Sequence, residues 1–341
     1  MAERHRRATL HDVAQLAGVS HQTVSRVVNR HPSVAAVTRS RVLEAIRQLD
    51  YAPNRVAQSL ATRRTKTAGI IGYGTSHYGP SQMVAHVEAG LKAKGYGLVY
   101  AAVPDLSVDV LREHIAALRD QLVDGLVVVT PVGGGHLAET SALIRLPYVM
   151  IDAMLGEQVP SVVIHQHYGA RLATQHLVDR GHRAICEITG PMEWSGASQR
   201  HEGWSAVLME AGITPGASVE GDWTPAGGYR AARRLLERGE RFTALLAGND
   251  QMALGAMRAL REAGLRVPQD VSIVGFDDIP EAAYFEPPLT TVRQDFATLG
   301  QQAVELLLAR MAEPEAPAHQ RVLYPVLMER ASVAAPNLVA S

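Results

Sequence analysis

Between Gly69 and Phe276 the chain repeats one pattern, a short apolar run followed by a longer amphipathic one. Runs of four to eight apolar residues read as strands buried on both faces, and the 3.6-residue periodicity between them reads as helix. The strand candidates are Gly69 to Tyr73, Gly97 to Val103, Gly125 to Val129, Pro147 to Ile151, Ala184 to Thr189, Thr243 to Ala247 and Val271 to Phe276. Helices are expected over Gln82 to Lys94, Val108 to Leu122, Gly169 to Arg180, Ala226 to Arg238 and Asp250 to Ala263. Strands buried on both faces and separated by helices imply parallel sheets with helices on either side. The fold class is therefore α/β, and 341 residues are enough for two lobes.

No run approaches the roughly 18 uncharged apolar residues of a membrane span. The amino terminus MAERHRRATL is charged and lacks the apolar stretch of a secretory signal, so a cytoplasmic protein with no membrane partner is expected. The single cysteine, Cys186, cannot form an internal disulfide or a thiolate cluster and is expected to be a small apolar strand residue. No metal and no cofactor are expected. His165 and His167 lack matching Cys, Asp or Glu ligands, and Gly72-Tyr73-Gly74 lacks the third glycine of a dinucleotide fingerprint.

Charge is unevenly distributed. Residues 1–66 hold 12 Lys and Arg against 4 Asp and Glu, a net of +8, whereas the remainder carries −9. A basic module of this size suits a polyanion. It is also patterned to fold as three short helices. Thr9 and Asp12 form a capping box before Val13, Leu16 and Ala17, and Gly18 can close the helix in a left-handed conformation. Ser20 can cap a second helix with Val24, Val27 and Val28 inward and Pro32 beyond its end. Thr38 is expected to cap a third, with Val42, Leu43, Ile46 and Leu49 inward, ended by Tyr51-Ala52-Pro53.

Two helices joined by the tight turn Gly18-Val19-Ser20 make a helix-turn-helix, whose second helix enters the DNA major groove by its first residues. His21, Gln22 and Arg26 are the candidate base readers. Glutamine pairs with adenine and arginine with guanine through two hydrogen bonds each. Thr23, Ser25, Asn29, Arg39, Asn54 and Arg55 are candidates for the DNA backbone, with Arg41, Arg63, Arg64 and Lys66 also available to phosphates.

The run TLHDVAQLAGVSHQTVSRVVN followed by YAPNRVAQSLA resembles the DNA-binding headpiece and hinge of the LacI/GalR family of bacterial transcription repressors. The later runs GHRAICEITGP, GDWTPAGGY, AGNDQMALGAMRAL, VSIVGFDDIP and PPLTTVRQDFATLG extend the likeness over essentially the whole chain. The resemblance implies a helix-turn-helix headpiece over 1–53, a hinge helix and linker over 54–67, and a periplasmic-binding-protein-like core over 68–335, with a tail at 336–341. Within that core, lobe 1 would comprise about 68–164 and 296–323, and lobe 2 about 165–292 and 324–335. It also implies that Leu60 wedges into the minor groove, where an apolar insertion kinks DNA. LATRRTKTAGIIG is longer than the family pattern between hinge and first strand.

Ligands of such folds bind beyond the carboxyl ends of the strands, between lobes. Asp152, Asn249, Asp250, Asp277 and Asp278 follow strand candidates there, and carboxylates, an amide and an arginine beside aromatic faces outline a sugar site. The resemblance implies that Asp152, Arg200, Asn249 and Asp277 hold the hydroxyls of a β-galactoside. It places Trp223 and Phe296 as apolar walls, with Gln294 and Ser76 as further contacts. Val129, Ile164 and Gly196 stand where the pattern has asparagine, phenylalanine and serine, and SHYGPSQ is a shortened loop; the substituent on the sugar is what these changes affect. Asp250 opens a helix and is expected to be its cap, and Asp278 to tie down a loop.

The function expected is a repressor whose grip on a pseudo-palindromic double-stranded operator is controlled by a small sugar. A homodimer is expected, since ASVAAPNLVAS at the carboxy end has no leucine heptad. A hydrolase using Asp152 and Asp277 as a carboxylate pair would leave residues 1–66 without a purpose, so no enzymatic activity is expected.

Overall fold

The computed structural model describes residues 8–28, 31–51, 64–131, 144–152 and 159–337. It divides into two compact units, residues 1–65 and 66–341.

The first unit contains α1 (Leu10–Ala17), α2 (His21–Val28) and α3 (Ala36–Gln48). The capping box forms: the Thr9 N–H donates to Asp12 Oδ2 at 2.8 Å, and Thr9 Oγ1 accepts from the Asp12 N–H at 3.3 Å. Gly18 closes α1 at φ +63°. Val13, Val24 and Val42, one from each helix, are fully buried and meet Ala14, Ala17, Val27, Ala45 and Tyr51 in a small core. Three expectations fail. Leu16 and Leu43 are 49% and 46% exposed, because Val13, Ala14, Ala17, Val24, Val27, Val42, Ala45 and Tyr51 already fill the space between the helices. Thr38 lies inside α3, which begins two residues earlier and has no side-chain cap at Ala35.

The second unit has two six-stranded sheets. Lobe 1 is built on β1 (Thr67–Tyr73), β2 (Gly97–Val103), β3 (Gly125–Val129), β4 (Tyr148–Ile151), β5 (Ser161–Ile164) and β11 (Gln320–Leu323), in the order β11-β5-β4-β3-β1-β2. Its helices among the described residues are α4 (Tyr78–Ala93), α5 (Val108–Asp120) and α10 (Phe296–Ala312). Lobe 2 is built on β6 (Ile185–Thr189), β7 (Ser218–Glu220), β8 (Ala244–Ala247), β9 (Ser272–Asp277), β10 (Thr290–Arg293) and β12 (Val326–Met328), in the order β12-β10-β9-β8-β6-β7. Around it pack α6 (Gln166–Asp179), α7 (Ser195–Glu210), α8 (Pro225–Glu237) and α9 (Asp250–Glu262). The chain passes between the sheets three times, after β5, after β10 and after β11.

Central strands such as β3, with all five residues buried, explain why the apolar runs were conspicuous. The pairings are parallel except β10 with β12, whose antiparallel register places Thr291 opposite Met328. Strands β5, β7, β10, β11 and β12, of three or four residues each, fall outside the apolar runs that mark the other strands. Helix α7 escapes because the buried face of its first half is Gly196, Ala197, Arg200 and Gly203, and large apolar residues appear only from Trp204 onward, at Trp204, Val207 and Leu208. Cys186 is buried in β6, where burial raises its thiol pKa to about 11.

Candidate functional site

Two surfaces match the expected chemistry, one in each unit. On α2 the polar edge begins at its cap: the Thr23 N–H donates to Ser20 Oγ at 3.2 Å, and the two hydroxyls lie 2.9 Å apart. With Val24 and Val27 buried beneath, His21, Gln22 and Arg26 are exposed, and Thr23 and Ser25 are half-buried beside them. The donors that could read base edges therefore sit on one face of a helix fixed from below. Arg39 differs from expectation in part, since its guanidinium donates to the His31 carbonyl at 2.7 Å and so braces the turn before α3. Asn29, Asn54, Arg55 and Leu60 lie outside the described residues.

The second surface is a cleft between the lobes, the position where two-lobed α/β folds take small molecules. Asp152 enters from the end of β4, Asn249 from β8, Asp277 from β9 and Gln294 from the crossover after β10, while Arg200 projects from α7. Asp152, Trp223 and Asp277 have φ of +65°, +66° and +107°. Non-glycine residues pay about 1–3 kcal/mol for such conformations, and here the strained turns lie at strand ends beside the cleft.

Arg200 organises the polar wall. Its Nε donates to Gln166 Oε1 at 2.9 Å, another nitrogen donates to the Gly248 carbonyl, and a third lies 3.7 Å from Asp277 Oδ1. Gln166 Nε2 donates to Gln294 Oε1 at 2.8 Å, and Gln294 Nε2 donates to Asp277 Oδ1 at 2.6 Å. The guanidinium also stacks 3.7 Å from the Phe276 ring centroid, which fixes its plane without satisfying its charge. Burial raises the Asp152 carboxyl to about 7 and that of Asp277 to about 6, against the pull of Arg200 in both cases. Both are thus poised to ionise when further donors arrive. Asn249 divides its amide: Oδ1 caps α9 by accepting from the Met252 N–H at 2.8 Å, and Nδ2 donates to the Trp223 carbonyl at 3.1 Å.

Asn249 therefore holds the capping role expected of Asp250. The Asp250 carboxylate turns inward, fully buried, and accepts from Thr291 Oγ1 and from the Ile279 N–H. Asp278 accepts from Arg293 at 2.6 Å and Arg330 at 2.5 Å, tying its loop to neighbouring strands. Among the expected ligand contacts, Asp152, Arg200, Trp223, Asn249, Asp277 and Gln294 are brought together. Ser76 and Phe296 are not. Ser76 is exposed in the short turn before α4, and Phe296 is buried in the lobe 1 core with Tyr78 edge-on at 6.0 Å, so Tyr78 forms the wall instead. Val129 and Ile164 are likewise core residues.

His77, Tyr78, Pro131, Gln166 and Trp194 line the cleft without having been singled out from sequence. Gln166 and Pro131 follow the ends of β5 and β3, so the strand-end rule would have found them. Trp194 stands five residues beyond β6, where only the folded loop brings it to the cleft. No group of three metal-ligating side chains occurs among the described residues, and no helix among them is long and apolar enough to cross a membrane. His165 instead caps α6, with Nδ1 accepting from the Tyr168 N–H at 3.2 Å.

Each unit matches a known family model. Residues 9–54 match the model of bacterial regulatory proteins of the lacI family, and 174–333 that of the periplasmic binding protein-like domain. The chain is 38% identical over 330 residues to the lactose operon repressor of Escherichia coli strain K12, covering 96% of this chain and 91% of that one. It is also 38% identical over 334 residues to the HTH-type transcriptional repressor PurR of Proteus mirabilis strain HI4320, covering 96% and 97%. Among solved structures it resembles the lac repressor dimer bound to operator and the anti-inducer ONPF, with a TM-score of 0.86 over 97% of this chain and all of that one, at 38% identity. A complex of the transcriptional regulator CelR with cellobiose matches at 0.72 and 34% identity, over 96% of this chain and all of that one.

Proposed function

The chain belongs to the lacI family of bacterial regulatory proteins and is a DNA-binding transcriptional repressor, and on that premise we propose that a β-galactoside in the cleft controls its hold on a pseudo-palindromic operator. The observation that carries the effector reading is the joint presence of Asp152, Arg200, Asn249 and Asp277 around one cavity with Trp223 beside them. Two carboxylates, an amide and a guanidinium match a ring of sugar hydroxyls, and an indole face matches the ring's C–H side. Gln294 holds Asp277 in place from behind.

At the DNA, His21, Gln22 and Arg26 read base edges. Thr23, Ser25, Asn29, Arg39, Asn54 and Arg55 hold the backbone, and Leu60 wedges the minor groove. The assembly is a cytoplasmic homodimer, as in the solved lac repressor dimer on its operator, so that two headpieces meet two half-sites. The hinge division at 54–67 belongs to this proposal. The sugar acts by binding one lobe arrangement better than the other, since equal affinity would shift nothing.

The test is retention of a DNA fragment from beside the protein's own gene, by mobility shift, with and without galactosides. Release by galactosides is expected; retention unaffected by any galactoside would end the galactoside assignment and leave DNA binding standing. A second reading keeps the cleft and exchanges the sugar: similarity to a regulator solved with cellobiose favours a β-linked glucoside. Calorimetry of galactosides against cellobiose separates the two.

A further inference from the structure

Helix α7 belongs to lobe 2, yet its first polar contacts are made to lobe 1. The Ser195 N–H donates to the Pro131 carbonyl at 2.8 Å. The Ser195 hydroxyl reaches the same oxygen at 3.0 Å and the Asp152 carbonyl at 3.5 Å. The first N–H groups of a helix have no partner within it, and Trp194, at the cap position, supplies no side-chain acceptor. Lobe 1 thus caps a helix of lobe 2.

Trp194 makes a second bridge beside the first. Its ring lies 5.3 Å from His77 and 5.8 Å from Tyr73 in lobe 1, and 5.7 Å from Trp223 in lobe 2. Gly74, at φ +66°, gives it a seat: a Cβ there would stand 2.5 Å from the indole. The ring therefore rests against lobe 1 backbone, while Trp194, His77 and Trp223 all line the cleft.

We propose that Trp194 and Ser195 form a clasp that holds the lobes in this arrangement and couples occupancy of the cleft to it. The coupling part rests on the reading that the cleft takes the effector. Separating the lobes exposes an uncapped N–H, a hydroxyl and an indole edge together, which makes the arrangements discrete rather than graded. An effector changes DNA affinity only through its preference between such arrangements. Trp194 and Ser195 are positioning residues in this scheme, acting through the lobes.

The test joins a readout that needs no sugar with one that does. Spin labels are placed at Lys92→Cys on α4 and Arg261→Cys on α9, both exposed, with Cys186 buried and unlabelled. With the labelled chain diluted in excess unlabelled chain so that the distance within one protomer is read, full-length protein is expected to give one narrow label distance, and Trp194→Ser combined with Ser195→Ala a broadened and shifted one, with cooperative thermal unfolding retained in both. An unchanged distribution overturns the clasp whatever the sugar does. In the second arm, methyl β-galactoside is expected to lower DNA affinity of the unmutated protein by about 5- to 150-fold, and that of Ser195→Ala by less than about twofold, with calorimetric sugar binding kept. A full response in Ser195→Ala overturns the coupling. If the unmutated protein binds no galactoside, the effector reading fails and the label distances still decide the clasp.

Discussion

The two functional surfaces use similar residue types in opposite ways. On α2 the base-reading candidates are exposed, lie within six residues of sequence and are backed by a few valines. In the cleft they are buried, drawn from residues 152 to 294, and satisfied largely by one another before any ligand enters. An exposed edge loses little when one side chain changes, because water replaces it. A buried network loses more, because each member holds the next.

That contrast can be broken most severely from beneath the exposed surface. Val24→Asp puts a carboxylate into the fully buried centre of the headpiece, costs about 3 kcal/mol or more, and should abolish DNA binding while sugar affinity stays unchanged. Mobility shift and calorimetry on one preparation check both halves. Next comes Arg200→Ala, which strips partners from Gln166, Gly248 and Asp277 together. Truncating one member of a buried charge pair costs about 2–5 kcal/mol, so sugar affinity should fall at least about thirtyfold while DNA retention persists. Loss of DNA binding in a folded Arg200→Ala protein would erase the separation of roles.

Gln22→Ala and Arg26→Ala should each cost about 1–3 kcal/mol at one operator position and relax preference there only. Selection of bound sequences measures it, and a uniform loss across all sequences would reassign that side chain to the backbone. The smallest effect concerns pH. Asp152 titrates near 7 in the folded chain against an ordinary 3.8, so between about 4 and 7 the native state holds a proton that the unfolded state has released. Its contribution to stability is present at acid pH and is lost as pH rises through 7. Sugar hydroxyls donate to the ionised form, so binding near pH 6.5 should release protons, measurable by calorimetry in buffers of different ionisation enthalpy, and Asp152→Asn should remove part of that release.

Legibility followed the same division. The capping box at Thr9, the left-handed Gly18 and the buried valines of α2 were readable because each depends on neighbours within four residues. So were β2 and β3, whose boundaries match the apolar runs. The cleft was legible at Asp152, Asn249 and Asp277, which follow strands, and at Arg200 and Trp223 through family resemblance alone. It was not legible at Trp194, nor in the withdrawal of Phe296 and Ser76. Depth behind a wall and exposure at a turn are set by what packs across from a residue.

Sequence by itself determined the helices α1 to α3, the longer strands with the helices between them, and the carboxylates that end the strands, all products of local periodicity, capping and strand-end chemistry. Only the tertiary structure decided which of two adjacent residues caps α9. Asn249 took the helix cap and Asp250 turned into the core toward Thr291, while Asp277 and Asp278 went opposite ways at one strand end. It also decided that the first N–H of α7 finds its acceptor across the cleft in Pro131. Those outcomes depend on contacts between segments tens of residues apart, formed only when two sheets close on one another.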